Sequence, residues 1–236
     1  MISQNILALL LCCFLINTAV VEGVSAQPLR GDYHDVSYYV DSFTVFGEVT
    51  ISADGTGTYH QIETSTGGGI GNAIEAYTVS SDGALTIGDD KKGVVSDDDQ
   101  FVFFVDIGDP VGIEILAKKS SGIPSAMLDG NYHGVSYYAD EDGFTAFGDV
   151  SLDGNGNAAY VQIDTSGGGS SGGTTAYTVT SDGEITIGSD RRGVVSADGN
   201  YIFFVDLGDP VGIEILAKKS VPSAATGPAI SILLLN

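Results

Sequence analysis

Tryptophan is absent from this 236-residue chain, and cysteine occurs only as the adjacent pair Cys12 and Cys13. Both cysteines lie in the apolar run Ile6–Ile16, ILALLLCCFLI, which is followed by the small residues Val24, Ser25 and Ala26 before Gln27. That pattern predicts a secretory signal peptide over residues 1–26, with the departure that Met1–Asn5 holds no Lys or Arg. A buried N-terminal helix and a lipid anchor on Cys12 or Cys13 are the competing readings. Leu11 before Cys12 is not the small residue that lipid attachment usually wants. Export implies a secreted, periplasmic or cell-surface protein. Cleavage after Ala26 leaves no cysteine, which excludes a disulfide framework and thiol catalysis.

Positive charge is scarce as well. Nine Lys and Arg stand against 31 Asp and Glu, a net charge of -22. Loss of the leader removes only Glu22. Without a basic footprint, nucleic acid and anionic membrane surfaces are excluded as partners. Three histidines leave little room for imidazole chemistry. In the C-terminal stretch, residues 221–236, the apolar run Ala229–Leu235 is far shorter than the ~20 residues of a membrane span. No membrane span is expected once the leader is gone. What is abundant is glycine, 33 residues, and enough hydrophobic residues, 43%, to build cores and exclude global disorder.

An internal duplication dominates the rest. Tyr77–Ser120 aligns without a gap with Tyr177–Ser220, and 32 of the 44 pairs are identical. GDPVGIEILAKKS occurs whole at Gly108–Ser120 and again at Gly208–Ser220. Upstream, Phe43–Ile51 matches Phe144–Leu152. A period near one hundred residues marks a domain rather than a solenoid unit. The predicted organisation is repeat 1 over 27–120, a linker over 121–129 and repeat 2 over 130–220.

Each repeat reads as all-β. Helical periodicity is missing, and short alternating runs are punctuated by turn signals such as Asp54-Gly55, Asp82-Gly83 and Asp182-Gly183. In repeat 1 the candidate strands are Tyr33–Val40, Phe43–Ser52, Thr56–Ser65, Ala73–Ser80, Ala84–Gly88, Gly93–Ser96, Phe101–Asp106 and Val111–Lys118. Eight strands joined by local hairpins favour an antiparallel up-and-down meander, closed into a small barrel to hide its edges. Alternation predicts an inner face of Phe43, Val45, Gly47, Val49 and Ile51 on the second strand. On the last strand it predicts Val111, Ile113, Ile115 and Ala117 inside. Phe46, Phe104 and Leu116 then fall outside with their copies Phe147, Phe204 and Leu216, either as scattered surface residues or as a contact with the other domain or a partner.

Gly31-Asp32-Tyr33 and Gly130-Asn131-Tyr132 open the first strand of these meanders. The motif resembles the G-x-W that opens the calycin barrels (lipocalins, fatty-acid-binding proteins and avidins), with Tyr in place of Trp. In that group a basic side chain of the last strand covers the aromatic ring. The resemblance implies a barrel closed at one end, with Lys119 and Lys219 in the covering role by alternation from Ala117.

The candidate sites divide by geometry. His34 and Ser37 point to opposite faces of one strand, so Asp32, His34 and Ser37 cannot form a triad, and a surface or strand-end role is expected for His34 and His133. Asp153, Asn155, Asn157 and Asp164 have an EF-hand-like spacing, but Ala158 replaces the required glycine and no helices flank them, so a hairpin turn is the simpler reading. No metal or other cofactor is expected beyond calcium at that candidate set. The glycine-rich stretches Thr66–Asn72 and Ser166–Gly173 lack the Lys-Ser/Thr and the helix of a phosphate loop, and read as hairpin loops. Tyr33, Ser37 and Tyr39, with Tyr132, Ser136 and Tyr138, share one strand face whose hydroxyl-tipped rings suit a ligand cavity. No convergent acid, base and nucleophile emerge. The expected function is a non-enzymatic exported binding module for a small hydrophobic or carbohydrate ligand or another surface protein. A structural envelope or matrix protein is the alternative. A filled barrel interior favours the second and an open polar cup the first.

Overall fold

Strand-forming runs separated by Asp-Gly and Gly-rich turns fold into sixteen strands among the described residues. The computed structural model describes residues 29–40, 43–67, 71–139 and 143–220, so the expected leader and C-terminal stretch lie outside them. The first eight strands are β1 (Gly31–Tyr39), β2 (Phe43–Ser52), β3 (Thr56–Thr64), β4 (Asn72–Val79), β5 (Ala84–Ile87), β6 (Lys91–Val95), β7 (Phe101–Asp106) and β8 (Gly112–Lys118). The second eight are β9 (Gly130–Tyr138), β10 (Phe144–Leu152), β11 (Asn157–Thr165), β12 (Gly172–Val179), β13 (Glu184–Ile187), β14 (Arg191–Val195), β15 (Tyr201–Asp206) and β16 (Gly212–Lys218). Each set is an antiparallel meander closed by its last strand on its first, β8 on β1 and β16 on β9. The fold is therefore all-β, with two eight-strand closed barrels. Closure removes the sheet edges that would otherwise invite aggregation.

The barrel interiors are packed at one end. In barrel 1 Tyr33, Ile51, Tyr77, Leu85, Val102, Phe104 and Leu116 form the inner cluster, and Leu29 seals it. Barrel 2 repeats it with Tyr132, Leu152, Tyr177, Ile185, Ile202, Phe204 and Leu216. Gly93 and Gly193 make this packing possible: a Cβ at Gly93 would lie 2.6 Å from the Phe104 ring, and at Gly193 2.5 Å from that of Phe204. The linker completes the floor of barrel 2. Gly122 and Ile123 donate their N–H groups to the Ser181 carbonyl at 2.7 and 3.0 Å, and a short 3-10 turn, Ser125–Leu128, buries Leu128 in the barrel 2 core.

The assignment of faces on β8 needs correction. On β2 the inner residues are those that alternation predicts, but on β8 the apolar residues Ile113, Ile115 and Ala117 face out, and Gly112, Glu114, Leu116 and Lys118 face in. Phe104, Leu116, Phe204 and Leu216 are accordingly inner residues. Two facts explain the inversion. The charged inner residues are paired inside the barrel, Glu114 to Lys91 at 2.7 Å and Lys118 over the Tyr33 ring at 5.9 Å. The apolar outer residues are buried against the other barrel.

That contact is a third core. Outward Val36, Phe46, Ile115 and Ala117 of barrel 1 pack on outward Val194, Phe203 and Val205 of barrel 2. Each of the Val, Ile and Phe side chains contributes on the order of 1.5–3 kcal/mol when fully buried. Polar groups fix the register around it: Thr44 Oγ1 donates to the Asp206 carbonyl at 2.7 Å, and Arg192 Nε meets Glu63 Oε2 at 2.9 Å. Of the residues placed outside by alternation, Phe46 is thus an inter-barrel contact, whereas its copy Phe147 is exposed.

Candidate functional site

Both barrels are closed by tyrosine at one end and carry buried charge toward the other. At the closed end Tyr33 and Tyr132 are fully buried. Tyr33 donates its hydroxyl to the Asp99 carbonyl at 3.2 Å and Tyr132 to that of Gly199 at 3.0 Å. Burial pushes the Tyr132 hydroxyl up to about 12. The basic cover that the calycin resemblance implies is present one residue earlier than alternation from Ala117 placed it. Lys118 and Lys218 sit 5.9 and 5.7 Å over the Tyr33 and Tyr132 rings, within cation–π range. Lys119 and Lys219 instead point out, because Ala117 itself faces out. Lys119 pairs with Glu48, and Lys219 with Asp149 at 2.6 Å.

Toward the other end of barrel 1 the interior is filled. Asp35, Ser37, Tyr39, Lys91 and Glu114 form one buried network. Ser37 Oγ donates to the Asp35 carboxylate at 2.8 Å, Tyr39 to Glu114 at 2.9 Å, and Lys91 to the same Glu114 oxygen at 2.7 Å. Asp35 is held well above the ordinary carboxylate range, first by burial and then by the neighbouring charge of Glu114. Glu75 adds a further carboxylate whose field reaches Lys91.

Barrel 2 has the same plan with smaller side chains at two points, Gly134 where barrel 1 has Asp35 and Thr175 where it has Glu75. Leu216 takes up the space beside Gly134, 2.8 Å from where a Cβ would stand, while Thr175 belongs to the wall of a cup of about 290 Å³, lined by Val150, Ala158, Tyr160, Thr175, Ile187, Phe204 and Leu216 and by the charged residues Asp190, Arg191, Asp206 and Glu214. Arg191 is the hub. Its guanidinium contacts Asp206 at 3.1 Å, Glu214 at 3.4 Å and the Tyr138 hydroxyl at 3.1 Å. Burial raises Glu214 above its usual range, and raises the Tyr138 hydroxyl to about 12. The site therefore offers one fixed cation, three carboxylates and the Tyr160 phenol beside apolar walls. The β11–β12 loop, with its glycine run, lies at this same end of the barrel.

Among the residues singled out from sequence, Tyr33, Ser37 and Tyr39 do face one interior, and Tyr132, Ser136 and Tyr138 the other. The four proposed calcium ligands are not brought together. Asp153 is taken up by its own turn, accepting from the Asn155 and Asn157 N–H groups at 2.8 and 2.9 Å and from the Asn157 amide at 2.6 Å. Asn157 and Asp164 stand seven positions apart along β11, roughly 23 Å at strand rise. His34 is not a surface residue: it is 1% exposed, enclosed between the barrels, with Nε2 3.4 Å from Asp182 Oδ2 and the ring stacked on Phe46. His34, Glu48 and Asp182 bring their ligand-type atoms within 4.8 Å of one another, with Lys119 already bound to Glu48. Its copy His133 is exposed and bonded to Asp149 at 2.9 Å. Sequence reasoning missed Lys91, Glu114, Arg191, Asp206 and Glu214. The available signal was a Glu between two isoleucines, in a strand that recurs in both repeats.

No protein-family model matches the chain, and no curated protein does. Among solved structures, transferrin binding protein B of Neisseria meningitidis serogroup B (isotype 1) aligns over 75% of this chain and 52% of its own, with 10% identity and a TM-score of 0.37. A double mutant of transferrin binding protein B from Haemophilus parasuis aligns over 81% and 45%, with 13% identity and a TM-score of 0.29. The chain spans about half the length of these two proteins. A protein of unknown function from Nostoc punctiforme aligns over 84% of this chain and 100% of its own, with 10% identity and a TM-score of 0.25.

Proposed function

We propose that the chain is a non-enzymatic, exported binding module in which barrel 2 holds a small polar ligand and barrel 1 is the filled scaffold that supports it. The observation that carries this reading is the cup itself. Thr175, which stands where barrel 1 has the longer Glu75, is part of its wall, beside Arg191, Asp206 and Glu214. Its volume lies at the small end for ligand pockets. The lining narrows the ligand class: Arg191, Asp206 and Glu214 supply directional donors and acceptors, and Tyr160 supplies an aromatic face. A polyhydroxylated ring of the carbohydrate type satisfies both, whereas a purely apolar ligand leaves the charged groups desolvated and unpaid. The lining set contains neither His nor Cys, and both carboxylates nearest the hub are tied to Arg191, which argues for holding a ligand rather than transforming it. Export rests on the pattern of Ile6–Ile16 and Ala26.

The test is native mass spectrometry of protein purified from its source, followed by calorimetric titration with a panel of mono- and disaccharides. Binding is expected for the unaltered chain and is lost in Thr175→Glu, which places the longer barrel 1 side chain in the wall of the cup. Absence of any retained small molecule and of heat with every sugar would leave the structural alternative standing instead.

A further inference from the structure

The two barrels meet through different faces, although they are copies. Barrel 1 presents the outward side of β8, β1 and β2, here face A, and barrel 2 presents the outward side of β14, β15 and β16, face B. Duplication means that each barrel carries both faces. Barrel 2 has its own face A on β16, β9 and β10, and barrel 1 its own face B on β6, β7 and β8.

These second copies keep the chemistry of the first, and beyond the margins that Phe103 and Ile215 already give to the core between the barrels they lie uncovered. In face A, Val36 and Phe46 are 0% exposed, and their counterparts Val135 and Phe147 are 45% and 41% exposed. In face B, Val205 is 0% exposed, and its counterpart Val105 is 40% exposed. The polar partners recur too. His133 and Thr145 stand for His34 and Thr44, and Asp82 and Lys92 for Asp182 and Arg192. The polar contacts inside the chain, Thr44 on the Asp206 carbonyl and His34 beside Asp182, thus have waiting equivalents in Thr145 with Asp106 and His133 with Asp82. Phe103 and Tyr137 mark the inner margins of the open faces, since each already touches the other barrel, at 6.1 Å to Phe203 and 5.4 Å to Tyr38.

We propose that copies of this chain associate head to tail, face A of barrel 2 in one copy receiving face B of barrel 1 in the next, by repeating the contact that joins the barrels within each chain. Such a contact is heterologous, so it closes into a ring or extends as a row according to the rotation between successive units. The two faces of one barrel are centred two strands apart in a wall of eight, about a quarter turn. Successive barrels therefore approach closure after four, which two chains supply. Within the chain the linker holds the faces at an effective concentration in the mM range. Between chains, protein concentration must supply it, against the mutual repulsion of molecules of charge -22.

Sedimentation velocity on the protein purified from expression of the full chain tests this, over about 1–500 µM and at both low and physiological salt. The mass is expected to rise from one chain to two or more with concentration, and more readily with added salt. Phe147→Asp and Val105→Asp should each weaken association at least about tenfold, because a charge enters an apolar contact. An equimolar mixture of the two variants should recover a two-chain complex and nothing larger, since one retains face B of barrel 1 and the other face A of barrel 2. Thr145→Arg, a change at an exposed polar position, serves in the same way should Phe147→Asp alter the melting curve. A single-chain mass at the highest concentration, or association indifferent to these substitutions, overturns the proposal.

Discussion

Asp35 shows how one buried carboxylate makes the stability of a barrel depend on pH. Its carboxylate accepts from Ser37 and lies in the field of Glu114, and burial keeps it well above the ordinary carboxylate range. A folded-state pKa above the unfolded value of 3.8 stabilises the protein below that value, and the contribution is lost as pH rises through the folded value. At neutral pH, Asp35 is thus a destabilising group that its partners only partly offset. Asp35→Asn keeps an acceptor for Ser37 and removes the buried charge. It should raise stability at pH 7 by on the order of 1 kcal/mol or more, with the advantage shrinking toward pH 4. Urea unfolding of both proteins across that range checks it. A less stable variant at pH 7 would mean that Lys91 serves Asp35 as well as Glu114.

Strand β1 shows what depth does along one element. Its inward residues Tyr33, Asp35, Ser37 and Tyr39 run from the sealed end of the barrel toward the end that is open in barrel 2. Tyr33 is fully buried under Lys118, whereas Tyr39 is half-buried and stacks on Phe43 at 4.5 Å. Tyr33→Ala should cost on the order of 3–5 kcal/mol, as for other buried aromatics, and Tyr39→Ala distinctly less. Denaturant midpoints of the two variants give the comparison, and equal losses would place the sealed end elsewhere. The outward residues of the same strand, His34 and Val36, belong to a different core, that between the barrels. One strand therefore serves two cores, which is why an alternating pattern alone does not mark its solvent side.

For the whole molecule, the inter-barrel core couples two units that each possess a complete set of strands. Heating should unfold the chain in one calorimetric transition, because exposure of Val36, Phe46, Val194 and Val205 accompanies separation. Phe46→Asp places a charge in that core and should divide the transition into two. Phe147→Asp, at the equivalent but exposed position, should leave it single at low protein concentration. Two transitions in the unaltered chain would show that the contact is weaker than its burial implies. The linker acts with this core, since Ile123 and Leu128 are built into the floor of barrel 2 rather than left as a free tether.

The duplication, the all-β class and the strand boundaries to within one or two residues were legible in the sequence by itself, because they depend on turn chemistry and period-two alternation within a few residues. The inward face of β2 was legible for the same reason: its inner residues are apolar and most of its outer ones polar. On β8 both faces hold apolar residues, and the charged ones are satisfied by Lys91 from β6 and by Tyr39 and Tyr33 from β1, so the inward side followed from barrel closure. The placement of Lys118 rather than Lys119 over Tyr33 came with it. His34 and His133 stand in near-identical local sequence, and only the docking of one barrel on the other buries the first while the second stays exposed. The cup belongs to the same category. Its wall takes Thr175 from β12, Arg191 from β14, Asp206 from β15 and Glu214 from β16, which only barrel closure brings together.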